Sequence, residues 1–116
     1  MKYVHLYSGA DGKAYFKDVE VPTKSTRKGE NTSETIKATG IFFRETGAGY
    51  DLDYHNPTRR QFVITLEGES EVIASGGEKR VFKAGDIMLA DDMKGKGHMS
   101  RAVPGKPRKA IFVTLE

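Results

Sequence analysis

The chain has 116 residues, 37% hydrophobic and 30% charged, with 13 glycines and 4 prolines, which suits one turn-rich globular domain and excludes a disordered or collagen-like chain. Zero cysteines exclude a disulfide scaffold and thiolate metal sites. The net charge of +3 comes from basic residues dispersed among acidic ones, without the one-sided footprint of a nucleic-acid reader, and no apolar run approaches the roughly 18 residues of a membrane span, so neither nucleic acid nor membrane is an expected partner.

Residues 2–7 alternate, with Val4 and Leu6 on one side and Tyr3, His5 and Tyr7 on the other, which predicts a strand. The same stretch lacks the unbroken apolar core of a signal peptide, so a cytoplasmic protein is expected. Turn chemistry at 8–12 leads to a second predicted strand over 14–21. Residues 22–33 are polar and aperiodic, and predict a mobile loop within the single domain. Strands are then predicted over 35–45, 50–55, 61–67, 70–74, 80–83, 87–90, 98–103 and 109–115. The breaks between them include Gly47-Ala48-Gly49, Asn56-Pro57, Gly76-Gly77, Ala84-Gly85-Asp86 and Pro104-Gly105-Lys106-Pro107. No helix is predicted. This run of short strands points to an all-β, antiparallel sandwich or barrel of the jelly-roll kind, one domain over 1–116. In 61–67, Phe62, Ile64 and Leu66 share a face expected to pack on a second sheet or a partner, while Gln61, Val63 and Thr65 share the face expected to line a partly polar cavity.

Gly49, His55, Gln61 and Gly68 reproduce the spacing of the first signature of the cupin superfamily, with Pro57 at its second His and Gln61 at its Glu. The stretch from Gly85 and Asp86 through Asp91 and Asp92 to His98 resembles the second signature with a slightly longer loop. With the segments at 9–12 and 16–20, the chain resembles small single-domain bacterial cupins along nearly its whole length, with an altered metal-ligand set. The resemblance implies a double-stranded β-helix barrel with an internal site, and a homodimer. It does not imply one reaction, because cupins include oxygenases, isomerases, lyases and binding proteins.

Strand alternation puts Asp53, His55 and Pro57 on one face, with Gln61 on the next strand and His98 on a later one, all directed into one cavity. Two neutral imidazoles and an amide oxygen can hold a divalent metal (Zn, Fe, Ni, Mn or Cu), so His55, Gln61 and His98 are the candidate ligands. Gln in place of Glu removes a negative charge and Pro57 offers no donor, which lowers the expected affinity. Asp53 is the expected carboxylate, either as an added ligand or as the group that orients an imidazole. Gln61 reads equally as a hydrogen-bonding filler, and His5 as a filler only. Gly49, Gly68 and Gly85 read as turn or bulge positions.

His55 and His98 are also the candidate catalytic acid and base. Arg59 and Arg60, with Lys94, Lys96 and Arg101, are expected near the mouth and favour an anionic small molecule such as a carboxylate. Val63, Thr65, Met88 and Ser100 complete the expected substrate lining, and Tyr54 is placed opposite His55, in packing. Three readings stay open at this point. They are a metal-dependent enzyme of the oxygenase, isomerase or lyase type, a metal-free acid–base enzyme, and a small-molecule binding or sensor protein without turnover. The Phe62, Ile64 and Leu66 face, or the N-terminal strand, is the expected dimer contact.

Overall fold

A computed structural model describes residues 1–103 and 106–116; Pro104 and Gly105 of the predicted last turn lie outside the described residues. These residues form strands and no helix: β1 (Lys2–Ser8), β2 (Ala14–Glu20), β3 (Lys24–Arg27), β4 (Glu30–Thr32), β5 (Ala38–Thr46), β6 (Asp51–His55), β7 (Gln61–Glu67), β8 (Glu69–Ala74), β9 (Lys79–Lys83), β10 (Ile87–Asp91), β11 (His98–Ala102) and β12 (Arg108–Leu115). All but β3 and β4 follow the predicted alternation closely, the largest difference being the start of β5, predicted at residue 35 and formed from Ala38.

The segment predicted as a loop forms a hairpin instead, with Lys24 opposite Thr32 and Ser25 opposite Asn31, and every residue of it exposed. Backbone pairing needs no apolar face, so this hairpin leaves no periodicity in the sequence.

The main strands make a six-stranded sheet, β2-β1-β10-β7-β12-β5, and a four-stranded sheet, β6-β11-β8-β9. Neither closes on itself, so the expected barrel is realised here as two facing open sheets. The antiparallel expectation also has one exception: β1 runs parallel to β10, with Val4 opposite Met88 and Leu6 opposite Ala90. A pairing between such distant segments has no turn to announce it in the sequence.

Alternation decides which residues lie between the sheets. On β7, Gln61, Val63 and Thr65 are buried, whereas Phe62 and Ile64 are half-buried on the outer surface and Leu66 is exposed there. The core joins Leu6, Phe16, Val63, Met88 and Phe112 of the larger sheet to Val72, Ala74 and Phe82 of the smaller, with the Phe16 and Phe82 rings 6.2 Å apart across the interface. Leu6 is 0% exposed, and each such side chain contributes about 1.5–3 kcal/mol through its burial.

Two glycines of the site region behave differently. Gly97 has a φ of +76°, and a Cβ there would lie 2.0 Å from the His55 carbonyl oxygen, so only glycine lets the two strands approach here. Gly49 is a turn residue without positive φ, and no atom lies within 4 Å of a Cβ built on it. Gly97→Ala is therefore expected to lower stability by about 2 kcal/mol or more, while Gly49→Ala changes it by less than about 1 kcal/mol. Urea denaturation of both variants checks the contrast, and equal effects would contradict it.

Candidate functional site

The close approach at Gly97 sets the register of β11 on β6, which places His98 directly opposite His55. From His98 to Ser100 the partner moves from His55 to Leu52, so β6 carries one extra residue there, a β-bulge. The bulge resets the alternation of β6. Leu52 and His55, three positions apart, both line the cavity between the sheets, together with Pro57. Asp53 does not line it, contrary to simple alternation; its side chain caps the Tyr54 amide instead.

The two imidazoles face one another with ring centroids 4.4 Å apart and an interplanar angle of 56°. Each is fixed through Nδ1. His98 Nδ1 is hydrogen-bonded to Asp92 Oδ2 at 2.5 Å, and Asp92 is 0% exposed. His55 Nδ1 donates to the Asp53 carbonyl at 2.8 Å, an oxygen that can only accept. That bond fixes the proton of neutral His55 on Nδ1 and leaves a lone pair on Nε2. Asp92 therefore performs the orienting role that the sequence suggested for Asp53. Its own strand end is tied down by Asn56, whose Nδ2 donates to the Asp92 carbonyl at 2.8 Å.

Burial holds the His55 imidazole below the ordinary histidine value of 6.5, with the nearby His98 acting in the same direction and the bond to Asp53 opposing it. Two imidazoles this close do not readily carry positive charge together, because like charges in a partly desolvated space repel strongly.

The cavity between the sheets has a volume of about 220 Å³. Of the residues expected at the site, His55, Gln61, Val63, Thr65, Met88, His98 and Ser100 line it. Gln61 Oε1 is buried without a hydrogen-bond partner. Among the described residues, no group of three or more His, Cys, Asp and Glu side chains gathers as a metal site, and amides fall outside that set.

Arg59 and Arg60 are not part of the lining. Arg60 Nε donates to Asp91 Oδ1 at 2.9 Å, and Asp91 Oδ2 accepts from His5 Nε2 at 2.9 Å, so both basic groups are held at a shared carboxylate away from the cavity. Lys96 lies over the exposed Tyr54 ring at 4.3 Å, and Arg101 pairs with Glu71 at 2.6 Å. Of the expected basic rim, Arg60, Lys96 and Arg101 are thus engaged by partners outside the cavity.

Two charged groups of the lining escaped the sequence reading, Arg44 and Arg108, whereas Tyr50, readable as a phenol for proton transfer, does line the cavity. Tyr50 hydroxyl is 3.2 Å from Ser100 Oγ. Arg108 alternates with buried Ala110 and Phe112 along β12, which was a usable signal, masked by the habit of assigning charged residues to the outer face.

Because folding favours neutral His55, the unfolded chain takes up the proton first as the pH falls. Stability is therefore expected to be level above pH 6.5 with respect to this group and to fall below it. His55→Gln should lose less stability than the parent chain between about pH 7.5 and about pH 5.5. Urea midpoints at the two pH values measure this, and an equal loss in both proteins would contradict it. Compared with known proteins, the chain matches no protein-family model and no curated protein.

Proposed function

We propose that the protein binds a small molecule in the cavity between the sheets, against a pair of imidazoles able to hold a divalent metal, in the manner of a small cupin with a double-stranded β-helix fold. The observation that carries this reading is the tethering of both Nδ1 atoms, His98 by Asp92 and His55 by the Asp53 carbonyl, which leaves both Nε2 atoms to act on something else. The donor set fits a metal: two imidazoles on the smaller sheet, and the unpartnered amide oxygen of Gln61 on the facing sheet, lining the same cavity. His55, Gln61 and His98 would hold Zn, Fe, Ni, Mn or Cu. When bound, such an ion supplies Lewis acidity toward a substrate oxygen, as in oxygenase, isomerase or lyase chemistry. The chain's own part is to present unprotonated nitrogens, to exclude water through Val63, Val72 and Phe82, and to accept or return a proton at Nε2.

Pro57 and Gln61 favour a second reading, metal-free binding of a small molecule without turnover, because neither brings charge to the ligand set. The two are separated by metal analysis and calorimetry with Zn²⁺. The metal reading expects one ion per chain, abolished in His98→Ala and weakened about 10- to 100-fold in Asp92→Asn, where the imidazole loses its carboxylate partner. Retention of stoichiometric metal by His98→Ala would rule the metal reading out.

The outer face of the six-stranded sheet supports the homodimer that the resemblance implies. Phe43, opposite Ile111 on β12, is 75% exposed, and Ile111 in turn stands opposite Ile64. This continuous apolar row is what an isologous contact buries. Sedimentation is expected to give a dimer that Phe43→Glu dissociates; a monomeric parent chain would contradict it.

A further inference from the structure

The cavity also holds two guanidinium groups without acidic partners among the described residues, both from the six-stranded sheet, whereas the imidazoles come from the four-stranded one. Arg108 is only 9% exposed, and among the described residues it forms no ion pair. It also borders a groove containing Glu45, Glu67 and Glu69, but Glu67 and Glu69 pair with Lys109 at 3.1 Å and Lys106 at 2.8 Å, and Glu45 stands opposite Lys109 on the outer face. Arg44 stands in register with Ala110 on the neighbouring strand, so it shares the inner face with Arg108. Its guanidinium lies 4.4 Å from the Phe112 ring centroid and 5.5 Å from that of Phe42, held by ring faces rather than by a carboxylate.

Among the described residues, no Asp or Glu lines the cavity. Burial pushes the Arg108 guanidinium down from its ordinary value, with Tyr50 opposing that effect and Arg44 adding to it, which marks the three as electrostatic neighbours. A permanently charged group held in a low-dielectric cavity without a counter-ion is a costly arrangement for the empty protein. An anion removes that cost on binding.

We propose that Arg108, with Arg44 and the Tyr50 hydroxyl, forms a carboxylate-binding subsite whose ligand is a short organic acid with an apolar body. This deepens the reading of the cavity as a ligand site and rests on it. A guanidinium matches a carboxylate with two parallel hydrogen bonds. The remaining wall, Val63, Val72, Phe82 and Met88, is apolar and accepts the body of the molecule. Inorganic phosphate, with higher charge and four oxygens around one centre, leaves oxygens unpaired against that wall. The volume of about 220 Å³ equals on the order of seven waters, below that of drug-sized pockets, and restricts the acid to a few carbons.

The two groups of residues are linked along β11. Ser100, bonded to Tyr50, is two residues from His98, a strand rise of about 7 Å. An acid gripped at Arg108 therefore extends its body toward the Nε2 atoms of His55 and His98.

The test uses isobutyrate, its neutral isostere isobutyramide and inorganic phosphate, with calorimetry and backbone amide shifts as readouts. Isobutyrate is expected to bind, and the other two roughly tenfold or more weakly. Arg108→Met should weaken isobutyrate by at least roughly tenfold. The same variant, without ligand, should keep or raise the urea midpoint, because it removes an unpaired buried charge; a structural arginine would lower it. Arg44→Met, at an exposed position, should weaken isobutyrate as well and guards against a folding defect in the first variant. Equal binding of acid and amide, or unchanged isobutyrate affinity in both variants, overturns the subsite. A separate Zn²⁺ titration of the parent chain distinguishes the failures. If Zn²⁺ perturbs His55 and His98 while isobutyrate binds nowhere, the subsite fails and the cavity reading stands. If neither probe perturbs cavity residues, both fail.

Discussion

The pairing of β11 with β6 at Gly97 is the contact on which the site depends. There the backbone of one strand presses on the His55 carbonyl so closely that no side chain fits between, and the two imidazoles are brought opposite one another as a consequence. The rest of the arrangement protects this contact. Asp92, wholly buried, holds one ring, the Asp53 carbonyl holds the other, and Asn56 ties the Asp92 backbone to the turn after β6. Fixing Nδ1 on each ring is a local hydrogen-bonding event, yet it decides the chemistry of the opposite nitrogen.

The cavity differs from wall to wall. Imidazoles line it from the smaller sheet and guanidiniums from the larger, and valine, methionine and phenylalanine side chains complete the lining. Such an interior costs folding energy: a buried cation without a counter-ion, an amide oxygen without a partner and a carboxylate oxygen of Asp92 without a partner are all unfavourable in the empty protein. These penalties are carried by the two-sheet core around Leu6, Phe16, Phe82 and Phe112. Polar groups left unsatisfied in an otherwise well-packed sandwich are hydrogen-bonding positions open to a bound molecule.

Much of this was legible in the residues. Period-2 alternation located the strands of both sheets, and the alternation of β7 correctly assigned Gln61, Val63 and Thr65 to the interior. What escaped was non-local or irregular. The parallel pairing of β1 with β10 joins segments with no turn between them, and the β3–β4 hairpin has no apolar face to betray it. The bulge between Leu52 and His55 shifted the face of every earlier β6 residue, which is why Asp53 was assigned to the cavity. Arg59 and Arg60 were placed at the mouth by proximity in sequence to His55, but Asp91 draws Arg60 away, whereas Arg108, distant from either signature, points inward.

In the proposed site both imidazoles carry the proton on Nδ1 and offer Nε2 to a ligand. Nitrogen-15 NMR of the two histidine rings under alkaline conditions, before and after addition of Zn²⁺, tests this most directly. The expected result is the Nδ1–H tautomer for His55 and His98, and a simultaneous shift of both Nε2 resonances on adding the ion. An Nε2–H tautomer on either ring, or Nε2 signals indifferent to Zn²⁺, would contradict it.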